Sequence, residues 1–292
     1  MTPTVRLTLS ARAENVALVR ELIAAIAEVA ETGRSRDDIR AAVSEAANNV
    51  VVHAYAGEEG PLEVTVRMLH GALEVSVRDQ GFGIVSRQSA EAAASESMAE
   101  RGPGHGLGIA VMDALADGFE LRPREPHGVE AVLRFALTAP WRIDGDGDEL
   151  RGGVFEPAGP DELAVAMSPA ELGAVVLPRL VCAAAARAGF TVDRMSDAQL
   201  LADALAAHVV PVLRGAVLRS RLGIGRRELA IEVGMLDRGG GRAVIADSSV
   251  GQLGPLLERL ASSTEVYYSD RGELLELSIR DERQPAAPLS GA

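Results

Sequence analysis

Glu45 and Asn49 stand four positions apart in the run SEAANNVVVHAY and therefore share one face of a helix. A carboxylate at that place can take the proton of an attacking hydroxyl. The neutral amide oxygen of Asn49 suits Mg²⁺, which takes few protein ligands and completes its shell with phosphates and water. A second run, DQGFGI, contributes Asp79, Gly81 and Gly83. Leu73, Val75, Val77 and Asp79 fall on the same side of an alternating strand, so the carboxylate points toward apolar side chains and needs donors there. The exocyclic amine of adenine supplies one, whereas guanine carries a carbonyl at that position. Gly81 and Gly83 let the backbone approach a flat ring closely. A third run, ERGPGHGLGI, gathers Arg101, Gly102, Gly104, His105, Gly106, Leu107 and Gly108. Its glycines at 104, 106 and 108 open a helix whose free N–H groups and dipole can hold phosphate.

The composition narrows the phosphate chemistry. All 29 basic residues are arginine, with no lysine anywhere in the 292-residue chain. A Walker-A loop, a protein-kinase strand lysine and a Schiff base all need lysine and are excluded. Phosphate must be held by backbone N–H groups, arginine or a metal ion. The net charge of −13 argues against a nucleic-acid partner. Cys182 is the single cysteine, which rules out an internal disulfide and a cysteine-rich metal site, and its alanine-rich surroundings suit buried packing. The N-terminus is polar and no apolar run reaches membrane-spanning length, so no membrane association and a cytoplasmic protein are expected.

These residues need elements to position them. Val5 to Leu9 alternates as a strand, and Val16, Val19, Leu22, Ile23 and Ile26 recur at helical spacing. Ser35 is an N-cap candidate for the helix carrying Glu45, with Asp37 and Asp38 in its first turn. Leu62 to Leu69 and Leu73 to Asp79 form a hairpin across His70-Gly71-Ala72. The polar stretch after Asp79 is long enough to be a functional lid. A helix from Gly106 and a closing hairpin, Phe119 to Leu121 with Val129 to Leu137, complete the unit.

Together these motifs resemble the anti-sigma-factor serine/threonine kinases of sporulation and stress regulation, within the gyrase, heat-shock-90, histidine-kinase and mismatch-repair ATPase superfamily. The resemblance covers residues 1 to about 137. It implies an α+β fold, a two-layer sandwich of helices on a mixed sheet (Bergerat-type), with ATP and Mg²⁺ under a mobile lid. It implies Glu45 as catalytic base, Asn49 as Mg²⁺ ligand, Asp79 as adenine partner, and Gly81 and Gly83 along the ring. Gly104, His105, Gly106, Leu107 and Gly108 would contact the phosphates, and Arg101 would face them. The family usually has threonine after the glycine of the last strand pair, where Gly128 and Val129 stand here. A hydrogen bond supporting Asp79 is therefore expected to be lost. The partner implied is an anti-sigma-factor antagonist, with a sigma factor as competing ligand. The alternative is a nucleotide-dependent protein-binding switch without phosphotransfer. A histidine kinase fits less well, because no dimerising helix pair with a phospho-acceptor histidine has room before Ser35.

Residues 140–160, rich in Pro, Gly and Asp, read as a linker. Asp144, Asp146 and Asp148 suggest a calcium loop, but Glu149 and Phe155 occupy its glycine and glutamate positions. Residues 161–281 repeat the element order of the first half, with 282–292 as a tail. The expected elements are a strand at Leu163 to Met167 and helices at Pro169 to Ala188 and Asp197 to Leu213. A hairpin of Leu229 to Leu236 with Arg242 to Ala246, a helix from Gly254 to Leu260 and strands Val266 to Tyr268 and Leu274 to Ile279 follow. GQLGPLLERLAS set against GLGIAVMDALAD suggests a duplication. The second copy would be degenerate: Asp247 would end the matching strand with Ser248 and Ser249 in place of glycines, and Ala204, Ala207 and His208 would replace the Glu/Asn pair. The chain would then be a monomer holding an internal pseudo-dimer, or a homodimer.

Overall fold

The computed structural model describes residues 2–55, 57–81, 107–141, 150, 155–249, 251 and 254–282. The alternation of Val5, Leu7 and Leu9 places three buried side chains on one face of β1 (Thr4–Ser10). Leu18, Val19, Leu22, Ile23 and Ile26 form the buried stripe of α1 (Val16–Val29). In α2 (Arg36–Asn49), Ser35 is the N-cap, its hydroxyl accepting the Asp38 N–H at 3.1 Å, with Asp37 and Asp38 in the first turn. The helix runs on through a wider π-type turn at Val50–Ala54. β2 (Pro61–Leu69) and β3 (Ala72–Arg78) pair across His70-Gly71, where Gly71 takes φ 79°. α3 (Leu107–Leu115), β4 (Gly118–Pro123) and β5 (Val129–Ala136) follow.

The second half contains β6 (Glu162–Ser168), α4 (Gly173–Arg187), α5 (Val192–Val209), β7 (Leu218–Gly225) and β8 (Glu228–Leu236). α6 (Gly240–Asp247), α7 (Leu256–Leu260), β9 (Ser263–Ser269) and β10 (Gly272–Arg280) complete it. The strands form one sheet in the order β4-β5-β3-β2-β1-β6-β7-β8-β10-β9. Read outward from its centre, the first half runs β1-β2-β3-β5-β4 and the second β6-β7-β8-β10-β9. The halves meet where β1 pairs with β6, Leu7 opposite Val165, and α1 packs on α4. Arg179 of α4 pairs with Glu28 of α1.

One face of the sheet carries the apolar core beneath the helices. Arginine–glutamate pairs cross the strands on the other: Arg78 to Glu130 at 2.7 Å and to Glu63 at 2.9 Å, Arg134 to Glu74 at 2.9 Å, and Arg221 to Glu232 at 2.6 Å. No helix among the described residues is long and apolar enough to cross a membrane.

Three expectations are corrected. The mixed sheet gives way to one whose pairings among the described residues are all antiparallel. The partner of β8 in the hairpin is β7, and Arg242 to Ala246 lie inside α6. Gly239, Gly240 and Gly241 stand between the two expected hairpin strands, where a turn would fall, but Gly239 takes φ 84° and its N–H and that of Gly241 donate to the Glu273 carboxylate, which starts a helix. Asp247 therefore ends a helix, and the aspartate that follows β8 is Asp237. α5 begins five residues before the expected Asp197, because Thr191 precedes its first turn in extended conformation. The candidate calcium residues Asp144, Asp146, Asp148 and Glu149 lie outside the described residues.

Candidate nucleotide site

α2 brings Glu45 and Asn49 to one end of the first half, against α3 and the end of β3. A cavity of about 360 Å³ there is lined by Glu45, Asn49, Asp79, Gly81 and Gly108. Val77, Met112, Leu121 and Ala131 supply its apolar wall. Five of the residues expected to act on a nucleotide thus share one hollow. Leu107 begins α3. Gly83, Arg101, Gly104, His105 and Gly106 lie outside the described residues.

Asp79 is buried, as its strand parity requires. Its Oδ1 accepts the Gly81 N–H at 2.9 Å and the Val129 N–H at 3.3 Å. Its own N–H donates to Val129 O at 3.0 Å. The support expected to vanish with the family threonine is thus partly supplied by the Val129 backbone. Burial, the largest influence, raises the Asp79 carboxyl above the usual aspartate range; the two N–H donors and the charge of Arg124 act the other way. The second carboxylate oxygen has no partner among the described residues and can receive a ligand donor.

The glycines are fixed by close approach. A Cβ on Gly81 would collide with the Ala54 carbonyl, and one on Gly128 (φ 101°) with the Asp79 carbonyl. A Cβ on Gly108 would collide with Glu45 Oε1, which places that carboxylate against the first turn of α3. Glu45 and Asn49 make no side-chain hydrogen bond among the described residues, so both polar groups are available to a ligand.

Tyr55 was not legible as a site residue. Its hydroxyl donates to Pro61 O at 2.5 Å and accepts the Gln80 N–H at 2.9 Å, tying the end of the π-type turn to the Asp79–Gly81 turn. The sequence shows only that an aromatic follows HA; the contact with residue 80 comes from tertiary structure. In the second half the residues after β8, Asp237-Arg238-Gly239-Gly240-Gly241, also have the DxGxG spacing, which the misplaced hairpin concealed. There Asp237 is exposed, and Glu273 occupies the N–H groups of Gly239 and Gly241.

Residues 9–135, which carry this cavity, match the model of the histidine kinase-like ATPase domain. Within that class the chain is similar to anti-sigma F factors. It is 29% identical to that of Clostridium acetobutylicum over 132 residues, 44% of this chain and 90% of the relative. It is 28% identical to that of Clostridium perfringens over 131 residues (44% and 93%) and to that of Bacillus cereus over 134 residues (45% and 91%). These matches span less than half of this chain.

Proposed function

We propose that the first half binds ATP with Mg²⁺ and transfers the γ-phosphoryl group to a serine or threonine of a partner protein, an anti-sigma-factor antagonist, with a sigma factor as the competing ligand. The observation that carries this reading is the shared cavity of Glu45, Asn49 and Asp79, with Gly108 pressed against Glu45. Asp79 offers a carboxylate oxygen to the adenine amine, while Gly81 clears space for the ring. The first turn of α3 offers N–H groups to phosphate. Asn49 would hold Mg²⁺, which supplies neutralisation of phosphate charge when bound. Glu45, beside that helix turn, would accept the proton of the attacking hydroxyl. Incubation with γ-labelled ATP and candidate antagonists tests the proposal: label on serine or threonine supports it, and ATP binding without transfer to any of them opposes it.

The second reading is a nucleotide-dependent protein-binding switch without phosphotransfer. The specific observation in its favour is Val129, which offers Asp79 only a backbone N–H at 3.3 Å where the family has a hydroxyl as well.

We further infer that residues 161–281 are a degenerate copy of the first fold, packed on it as a pseudo-dimer. The same outward strand order on either side of the β1–β6 seam supports this. So does the burial register of the paired helices: Ile39, Ala42, Val43, Ala46, Ala47 and Val50 on one, Ala198, Leu201, Ala202, Leu205, Ala206 and Val209 on the other. In that register Ala204 and His208 stand where Glu45 and Asn49 do. The Glu273 carboxylate occupies the N–H groups of Gly239 and Gly241, the counterparts of the ring-lining Gly81 and Gly83, and the Glu/Asn pair is missing, so this half would bind no nucleotide and would keep a stabilising or partner-binding role.

A further inference from the structure

The sheet face away from the nucleotide cavity holds a second hollow, of about 590 Å³. Its floor is the seam between the halves, with Arg6 and Thr8 on β1, Ala166 on β6 and Arg219 on β7. Phe155 and the residues after it form one wall, and the Asp79–Gln80 turn borders it as well. The volume falls in the range of small-molecule sites, roughly 300–1,000 Å³.

Its charge is unusual for a chain of net charge −13. Arg6, Arg78, Arg124 and Arg219 line the hollow, with Glu63, Asp79 and Glu156 as the acidic residues of the lining. Arg78 is neutralised by Glu130 and Glu63. Arg6 is not. Its Nε is buried without a hydrogen-bond partner, and the nearest Glu63 oxygen is 3.8 Å away, beyond hydrogen-bonding reach. Arg124, in the β4–β5 hairpin, makes no side-chain hydrogen bond or ion pair among the described residues. The Arg6 side chain is 32% exposed, and an anion in the hollow would meet the outer N–H groups of its guanidinium and complete the loose pairing with Glu63. Planar guanidinium groups suit phosphate and carboxylate oxygens, and the Thr8 hydroxyl offers a further donor.

We propose that this hollow is a second ligand site, for a small anion carrying several negative charges on phosphate or carboxylate groups. Titration calorimetry of the full chain, with sodium pyrophosphate or citrate in magnesium-free buffer and sodium chloride at matched ionic strength as control, tests it. The expected result is saturable binding of one equivalent of pyrophosphate, citrate or both, weakened at least tenfold in Arg6→Gln and in Arg124→Gln. Pyrophosphate alone marks a phosphate site and citrate alone a carboxylate site; either supports the proposal. Arg124 is exposed, so its replacement leaves the fold intact even if Arg6→Gln does not fold. Heats no larger than those of chloride would overturn the proposal. So would undiminished binding in Arg124→Gln, which would place the anion elsewhere, the nucleotide cavity included.

Discussion

The carboxylate of Glu45 lies so close to Gly108 that a Cβ on the glycine would meet Glu45 Oε1. Because that oxygen ends a flexible side chain, the clash is relieved by swinging the carboxylate aside, not by moving backbone. Alanine also has the higher helix propensity, by about 1 kcal/mol in a helix interior and less in this first turn. Gly108→Ala should therefore leave the melting temperature unchanged or raised while phosphotransfer falls at least tenfold. A variant as active as its parent would show that the position of Glu45 does not matter.

Asp79→Asn should lower ATP affinity by about 1–3 kcal/mol, the scale of a hydrogen bond to a charged group, and should blunt discrimination against GTP. Titration with both nucleotides measures this, and parental ATP affinity would remove Asp79 from the adenine contact.

The same residue sets a pH dependence. Its folded-state pKa is raised by burial, so the native state binds more protons than the unfolded chain between the two values. Ionised Asp79 thus lowers stability as pH climbs from the unfolded value, with the loss complete above the folded one. ATP affinity should run the other way, falling as acid protonates the carboxylate at a pH above the ordinary aspartate range. In Asp79→Asn both dependences should flatten, and at neutral pH the ligand-free variant should melt no lower than its parent. Denaturation and binding measured across a pH series would expose a discrepancy.

Tyr55→Phe removes the acceptor of the Gln80 N–H and the donor to Pro61 O while keeping the ring. A loss of about 1–2 kcal/mol in unfolding free energy is expected, with weaker ATP binding because the turn bearing Asp79 loses its tie. Denaturant melts that overlay the parent's would show the tie to be dispensable.

Cleaving the chain at a protease site engineered between Trp141 and Leu150 should leave the two pieces associated. The β1–β6 ladder places buried Val5, Leu7 and Leu9 opposite Met167, Val165 and Leu163. Buried Asn15 accepts from Arg187 at 2.7 Å across the seam. The fragments should co-elute in size-exclusion chromatography; separate peaks at micromolar concentration would show that the covalent link, not the interface, holds the halves together.

Where local signals agreed, the chain was readable. Ser35 with its two following aspartates marked a helix start, and the alternation from Leu73 to Asp79 gave both the strand and the direction of the carboxylate. The meeting of Glu45, Asn49, Asp79 and Gly108 was implied by the family resemblance that the motifs carry. Legibility failed at β7, whose LRSRLGIG sets arginines and glycines between buried residues, and at α6, whose glycines read as a turn. That helix depends on Glu273, more than thirty residues away, to accept its first N–H groups. Tyr55 and the hollow at the seam were equally invisible, since each is made by residues distant in sequence.

The central claim rests on Glu45 as the base, and the most direct measurement compares Glu45→Ala with its parent for both ATP binding and transfer of label to a partner. ATP should bind the variant as it does the parent, with transfer reduced by roughly 10²–10⁴-fold, the contribution of a positioned base. Equal transfer by variant and parent would contradict the account.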